Sequence, residues 1–356
     1  MRRVECSVRV AGNPQHVYQV VAGFAMLGAR GEVDVRFDLL PAEEAPFSSP
    51  NVITATVAGR PVAYDMLDGY HNIPRDELEG LLSSVDVCFK RSFSPAENDS
   101  LAHGDRIRAF GLSYPVTCRA AVFRRMRAAD PPRRRLVRAF KAAAGRSPHP
   151  HVKAFEGGPV VRDDPVVVFM TRVYDPAGEP GEDPGVLLRE NAGPERQEIN
   201  EMRAGCVRRL REAFGRSFVG GLAPTAFAAA RYPDCLLDRA EVSRSRFLRT
   251  LKAADVGVAT MGLHRSNQWK LAEYLAASKA VVSERLRYEV PGFTPPENYL
   301  SFDTPGECVE RVADLLDDPD RRLAMMRANQ EHYEGYVRPD RAVRRTIVTT
   351  LDGVTA

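Results

Sequence analysis

The chain lacks most of the patterns that announce metal or redox chemistry. Its six cysteines (Cys6, Cys88, Cys118, Cys206, Cys235 and Cys308) are scattered along 356 residues. They form no CxxC pair and no Cys/His cluster, which excludes a zinc site of the usual spacing. Such scatter reads as reduced thiols in the cores of a cytosolic protein. No apolar run approaches the length of a membrane span, and the charges within Val4-Glu-Cys-Ser-Val-Arg-Val10 interrupt any signal-peptide core. A cytoplasmic location is therefore expected. The GxGxxG fingerprint is missing after the first strand, which argues against a nicotinamide or flavin site. No carboxylate-rich stretch suits a divalent ion, and there is no internal repeat or low-complexity segment.

What is present is an alternation of strand and helix patterns. A composition of 44% apolar and 27% charged residues describes a globular chain, and the length suffices for two domains, each with its own core. A formal net charge of +3 is too mild to indicate nucleic acid as a partner. Val4 to Val10 alternates as a strand, Gly12-Asn13-Pro14 is a turn, and His16 to Leu27 carries a helical stripe of Val17, Val20, Val21, Phe24 and Leu27. Further strands are read at 33–39, 52–57, 62–67 and 85–89, with a helix at 75–83.

Asp68-Gly-Tyr-His71 follows directly on the strand that ends at Leu67. Ligands of open α/β sheets bind at the carboxyl ends of strands, so Asp68 and His71 are candidates for taking a proton from a hydroxyl group. The alternative is a turn-forming Asp and a solvated His. Lys90 and Arg91 at the next strand end either meet an anion or form a salt-bridged rim. From Arg119 to Arg146 the chain is markedly basic around the break Asp130-Pro-Pro132. That run either docks on anionic lipid or nucleic acid or is a solvated helix face. A second domain opens with the buried strand Val166 to Met170, followed by Thr171-Arg172 and a loop rich in Pro, Gly and acids from Asp175 to Pro184.

The most informative stretch runs from Val256 to Val282 and reads as strand, turn, helix, strand, a single βαβ unit. Gly262 marks the break, and Asn267 or Ser266 is expected to cap the helix. Trp269, Leu271, Ala272, Leu275 and Ala276 give the helix an apolar face, with Lys270, Glu273 and Tyr274 placed toward the other side. His264, Arg265 and Lys270 crowd cations at the positive end of the helix dipole, at a cost of about 0.3–1 kcal/mol each. An anion held by these cations and the helix N–H groups would remove the conflict, and a nucleotide phosphate is the natural choice. The plainer reading is a solvated Arg265 and a surface pair between Lys270 and Glu273 at i,i+3.

The run Trp269-Lys-Leu-Ala-Glu273 through Val282, followed by Asn298-Tyr-Leu, Pro305-Gly-Glu307 and Leu315-Leu-Asp-Asp-Pro319, resembles the carboxyl-terminal domain of GT-B glycosyltransferases. The resemblance covers roughly Pro165 to the end, and the amino-terminal half matches in layout only. It implies that Glu273 contacts the ribose of a nucleotide, that donor phosphates lie at Ser266, Asn267 and Gln268, and that Arg172 meets the donor diphosphate. The chain departs from the pattern where many retaining members carry a second Glu eight residues earlier, here Arg265. The usual Gly and Pro after the helix are Ser278 and Ala280.

The sequence is thus read as α/β, GT-B: two Rossmann-like domains facing a central cleft. Residues 1–160 form the acceptor domain, 161–335 the donor domain, and 336–356 a last helix that in such folds crosses back to the first domain. The expected activity is metal-independent transfer of a sugar, of the hexosyltransferase class, from a nucleotide-sugar donor to an acceptor hydroxyl. Asp68 and His71 are the catalytic candidates, and Arg172, Arg265, Ser266, Asn267, Gln268, Lys270 and Glu273 the donor-binding ones. No metal or resident cofactor is expected, the nucleotide sugar being a co-substrate. The acceptor is a small molecule, glycan or lipid-linked group, with peripheral membrane contact as a further expectation and nucleic acid not expected. Rival readings are a non-catalytic nucleotide-sugar binding protein, a protein associated with nucleic acid or anionic lipid through 119–146, and a sugar epimerase on the same fold.

Overall fold

A computed structural model describes residues 3–128, 149–178 and 192–353. Most of the basic run after Arg119 and most of the loop after Asp175 therefore lie outside the described residues. The chain divides into two compact units: Met1–Ala154 with Tyr288–Gly292 and His332–Ala356, and Phe155–Arg287 with Phe293–Glu331.

Among the described residues the first unit holds six strands, β1 (Val4–Ala11), β2 (Val33–Leu40), β3 (Val52–Val57), β4 (Arg60–Asp65), β5 (Val87–Lys90) and β6 (Ile107–Ala109), in the order β2-β1-β3-β4-β5-β6. All neighbours are parallel except β3, which runs antiparallel to both β1 and β4. The cause is local. Ala58 and Gly59, with φ of 49° and 83°, join β3 to β4, and so short a connection can only make a hairpin. The helix Tyr18–Ala29 packs on this sheet and is buried on its outer side too, because the helix Pro339–Asp352 lies across it. Gly23 permits that approach: a Cβ there would stand 2.3 Å from the Pro339 carbonyl oxygen and from Val343 Cγ2.

The second unit is a five-stranded, wholly parallel sheet of β7 (Val167–Thr171), β8 (Phe218–Leu222), β9 (Val256–Ala259), β10 (Ala280–Glu284) and β11 (Leu300–Phe302), ordered β11-β10-β9-β7-β8. The chain moves from β7 outward to β8 and then returns to the other side for β9. Strand order thus reverses between β7 and β9, and the crevice outside the carboxyl ends at such a reversal is where open parallel sheets bind ligands. Thr304 caps the helix Pro305–Asp317 by accepting from the Glu307 N–H at 3.2 Å, while Glu307 reaches back to the Asp303 N–H at 2.9 Å.

Two local expectations are corrected in the βαβ unit. The helix Trp269–Ala276 begins after Gln268, whose side chain makes no cap bond, so neither Ser266 nor Asn267 is the cap; a tight 3-10 turn at Leu263–Arg265 comes first. The helix is also not half solvated, since Glu273 and Tyr274 are buried with the apolar residues. Gly257 on β9 leaves room for the Tyr274 ring, which a Cβ would meet at 2.6 Å, and the Tyr274 hydroxyl donates to the Val258 carbonyl at 2.9 Å.

Candidate functional site

At the reversal point, β7 ends in Thr171 and the exposed Arg172, whose guanidinium lies over the Tyr174 ring at 4.6 Å. The facing helix Ala192–Phe214 presents Arg196, Asn200 and Arg203 at i, i+4 and i+7, one face of a helix, and all three are buried. Arg196 donates to the Asp175 carbonyl at 3.0 Å. Asn200 accepts from the Tyr174 N–H at 2.9 Å and donates to its carbonyl at 2.6 Å. Arg203 donates to the Arg172 carbonyl at 2.5 Å, the Met261 carbonyl at 2.8 Å and Thr260 Oγ1 at 3.1 Å. A polar stripe thus fixes the backbone beyond both strand ends. From β10, Glu284 accepts the Met261 N–H at 2.7 Å. Burial raises the Glu284 carboxyl above the usual carboxylate range, against the pull of that N–H and of Arg203.

The loop after β9 closes on itself, with Gly262 N–H donating to the Ser266 carbonyl at 2.9 Å and Ser266 N–H to the Leu263 carbonyl at 3.1 Å. His264 and Arg265 take φ of 56° and 52°, left-handed conformations that cost a non-glycine residue about 1–3 kcal/mol. The same helix offsets this cost: Glu195 accepts the Arg265 N–H at 3.0 Å, and Glu198 lies 3.3 Å from its guanidinium. Arg265 is thus exposed and paired. Ser266 and Asn267 are buried, and Gln268 donates to the Met261 carbonyl at 3.3 Å.

Lys270 and Glu273 do pair, at 3.2 Å, yet not on the surface. Glu273 is buried and its other oxygen meets Arg244 at 2.5 Å. Lys270 Nζ stands 3.4 Å from the centroid of the Phe247 ring, and the Arg244 guanidinium lies about as close to Phe155 as to Phe247, at 4.9 and 5.1 Å. Burial pulls the Lys270 amine down to about 8, Glu273 partly restores it and Arg244 lowers it further. For Glu273 burial acts upward, but Arg244 and Lys270 outweigh it and hold the carboxyl below its usual value.

In the first unit, Lys90 and Asp65 form a pair at 2.6 Å with both side chains 0% exposed, so Lys90 is not offered to a ligand. Arg91 meets Asp68 at 2.6 Å. His16, at the start of the first helical turn, has Nδ1 at 3.2 Å from the Met66 carbonyl. Burial and then Arg91 lower its pKa, and Asp68 opposes them. His71 is exposed. The structure therefore gathers His16, Asp68 and Arg91 at the carboxyl ends of β4 and β5.

Sequence reading missed Arg203, Arg244 and His16. The polar spacing of Arg196, Asn200 and Arg203 was a usable signal inside an otherwise ordinary helix pattern. Arg244 offers none, since it lies 29 residues from Glu273. Among the described residues no group of three or more His, Cys, Asp or Glu side chains is placed to hold a metal ion, and no helix is long and apolar enough to cross a membrane.

Residues 203–347 match the family model described as glycosyl transferase-like. Solved structures similar to the chain include the carboxyl-terminal domain of a glycosyl transferase group 1 family protein (LpcC) from Francisella tularensis, 10% identical over 52% of this chain and 97% of that one, with a TM-score of 0.34. Another is the UDP-GlcNAc 2-epimerase from Neisseria meningitidis bound to UDP-GlcNAc, 10% identical over 97% of this chain and 99% of that one, with a TM-score of 0.46. No curated protein matches the sequence. The resemblance read from the residues after Pro165 is thus met by the family model: the segment is glycosyltransferase-like, and it is carried on an α/β chain of two sheet-bearing units.

Proposed function

We propose that this chain, glycosyl transferase-like over 203–347, moves a hexose from a nucleotide-sugar donor to an acceptor hydroxyl. The observation that carries the proposal is the reversal point between β7 and β9, which lies partly within the matched segment and has Arg172 and Arg203 at its strand ends. Arg172 stands at the end of β7, Arg203 ties both strand ends together, and Arg265 and Lys270 follow β9. As the glycosidic bond breaks, negative charge grows on the leaving diphosphate, and cations fixed beforehand stabilise it without reorganising. Arg172 is assigned to that charge, with the loop residues Ser266, Asn267 and Gln268 beside it and no divalent ion required.

Glu273 is assigned to the ribose. Its carboxylate is held ionised by Arg244 and Lys270, and Oε2, which accepts no hydrogen bond among the described residues, is the atom left to take one from a ribose hydroxyl. In the first unit the acceptor hydroxyl would lose its proton to Asp68 or His71, or to His16, which shares Arg91 with Asp68. Of these, His16 is kept neutral near pH 7 by burial and Arg91, the form that accepts a proton.

The test is release of nucleoside diphosphate from a panel of nucleotide sugars with the chelator EDTA present, water serving as acceptor. Slow hydrolysis of one donor, abolished by Arg172→Ala, is expected. Donor binding with no cleavage in the presence of any acceptor class would replace the enzyme with a binding protein.

A further inference from the structure

We infer that Arg203 is the electrostatic anchor of the donor site: a permanently charged group that attracts the diphosphate without touching it. The inference rests on the donor reading above. Arg203 is 0% exposed. All three of its hydrogen-bond partners are neutral, two backbone carbonyls and the Thr260 hydroxyl. Among the described residues no carboxylate comes within 4.0 Å of its guanidinium. Guanidinium cannot shed its proton in a protein, so the charge stays, and a buried charge without a counter-ion is costly.

The surroundings sharpen the conflict. Arg172 shares the Tyr174 ring with Arg203, their guanidinium carbons lying 4.6 and 5.0 Å from its centroid, so two like charges are held near one another. Glu284 feels the Arg203 charge without pairing with it, and it spends an oxygen on the Met261 N–H. A structural strut alone would be better served by a neutral side chain. An anion bound beside Arg172 resolves both problems, since it meets Arg172 directly and adds counter-charge near Arg203, whose burial keeps screening by water weak. Because it is fully buried and each of its three guanidinium nitrogens already donates to Thr260, Arg172 or Met261, Arg203 is a positioning and field residue and not a ligand contact.

The experiment measures affinities of uridine, guanosine and adenosine and of their mono- and diphosphates for the full chain and for Arg203→Lys and Arg203→Met, with melting temperature as the folding control. The inference expects Arg203→Met to lose more than tenfold for the diphosphate, several-fold for the monophosphate and less than twofold for the nucleoside. Arg203→Lys, which keeps the charge and loses the backbone bonds, should hold diphosphate affinity within about threefold of wild type, since the field falls off only slowly over these distances. Equal losses for nucleoside and diphosphate, or equal losses in Lys and Met, would overturn it in favour of a strut. If wild type binds no diphosphate, the donor reading itself fails; if wild type binds and Arg203→Met loses nothing, only the anchor fails. Should Arg203→Met not fold, Arg203→Lys and Arg203→Gln compared at matched melting temperature decide the same question, the Gln variant being expected to show the graded loss.

Discussion

Lys270, proposed above as a donor contact, carries a charge that a change of pH near neutrality alters. Its amine is drawn down to about 8 by burial, with Glu273 and Arg244 pulling in opposite directions, so it begins to lose its proton just above neutral pH. Diphosphate affinity should therefore weaken above about pH 8, by at most about tenfold per pH unit, and Lys270→Arg should flatten the profile; a flat wild-type profile from pH 7 to 10 would contradict this. Stability moves the other way. The unfolded amine titrates near 10.5, so between about pH 8 and 10.5 the unfolded chain binds more protons at this residue and its contribution favours the fold as pH rises. In the first unit, His16→Ala should lower turnover by about 10²- to 10⁴-fold, the usual reach of general base catalysis, while diphosphate affinity stays the same. Unchanged turnover would return the role to Asp68 or His71. At this scale the sequence showed the Lys270 and Glu273 pairing, because i,i+3 spacing alone places them together. It could not show the burial of Glu273 or the arrival of Arg244, which depend on a helix folded from elsewhere in the chain.

Strands and helices were legible wherever one periodicity dominated, and their ends were not. The strand, turn, helix and strand from Val256 to Glu284 stand where the pattern put them, but the helix start slipped because His264 and Arg265 adopt left-handed backbone that their residue types do not advertise. The hairpin at Ala58-Gly59 was there to be read, and reading it would have turned β3 antiparallel in advance. Packing of the helix Trp269–Ala276 on β9 leads to a stability prediction. Gly257→Ala places a methyl 2.6 Å from the Tyr274 ring, overpacking that should cost about 1–3 kcal/mol in denaturant unfolding; a loss below about 0.5 kcal/mol, the scale of a surface change, would mean the helix does not lie on the strand as described. Between β4 and β5, Lys90→Met strands the Asp65 carboxylate in a dry core. Breaking such a pair from one side costs about 3–5 kcal/mol, measurable in the same unfolding experiment, whereas the double change Lys90→Met with Asp65→Leu should recover most of it. No recovery in the double variant would show that the pair holds more than itself.

Over the whole molecule, each unit is a sheet with helices on it, and the last helix belongs with the first unit through its contact at Gly23. The α/β class was legible from alternating strand and helix patterns. The proposed donor side rests in sequence on cations crowded before one helix, a charge conflict that stands out, whereas the proposed acceptor side offered only Asp68 and His71 on a loop. For Arg203 the spacing with Arg196 and Asn200 marked a polar helix face, but not that two strand ends meet there. The central claim is that these cations, with no divalent ion, form a nucleotide diphosphate site. Its most direct test is the melting temperature of the full chain against UDP, GDP and ADP, each with EDTA and each with magnesium. The account predicts that one of them, at about 100 times its dissociation constant, adds roughly 2.7 kcal/mol of stability equally in both conditions. No shift with any diphosphate, or a shift that appears only with magnesium, would contradict it.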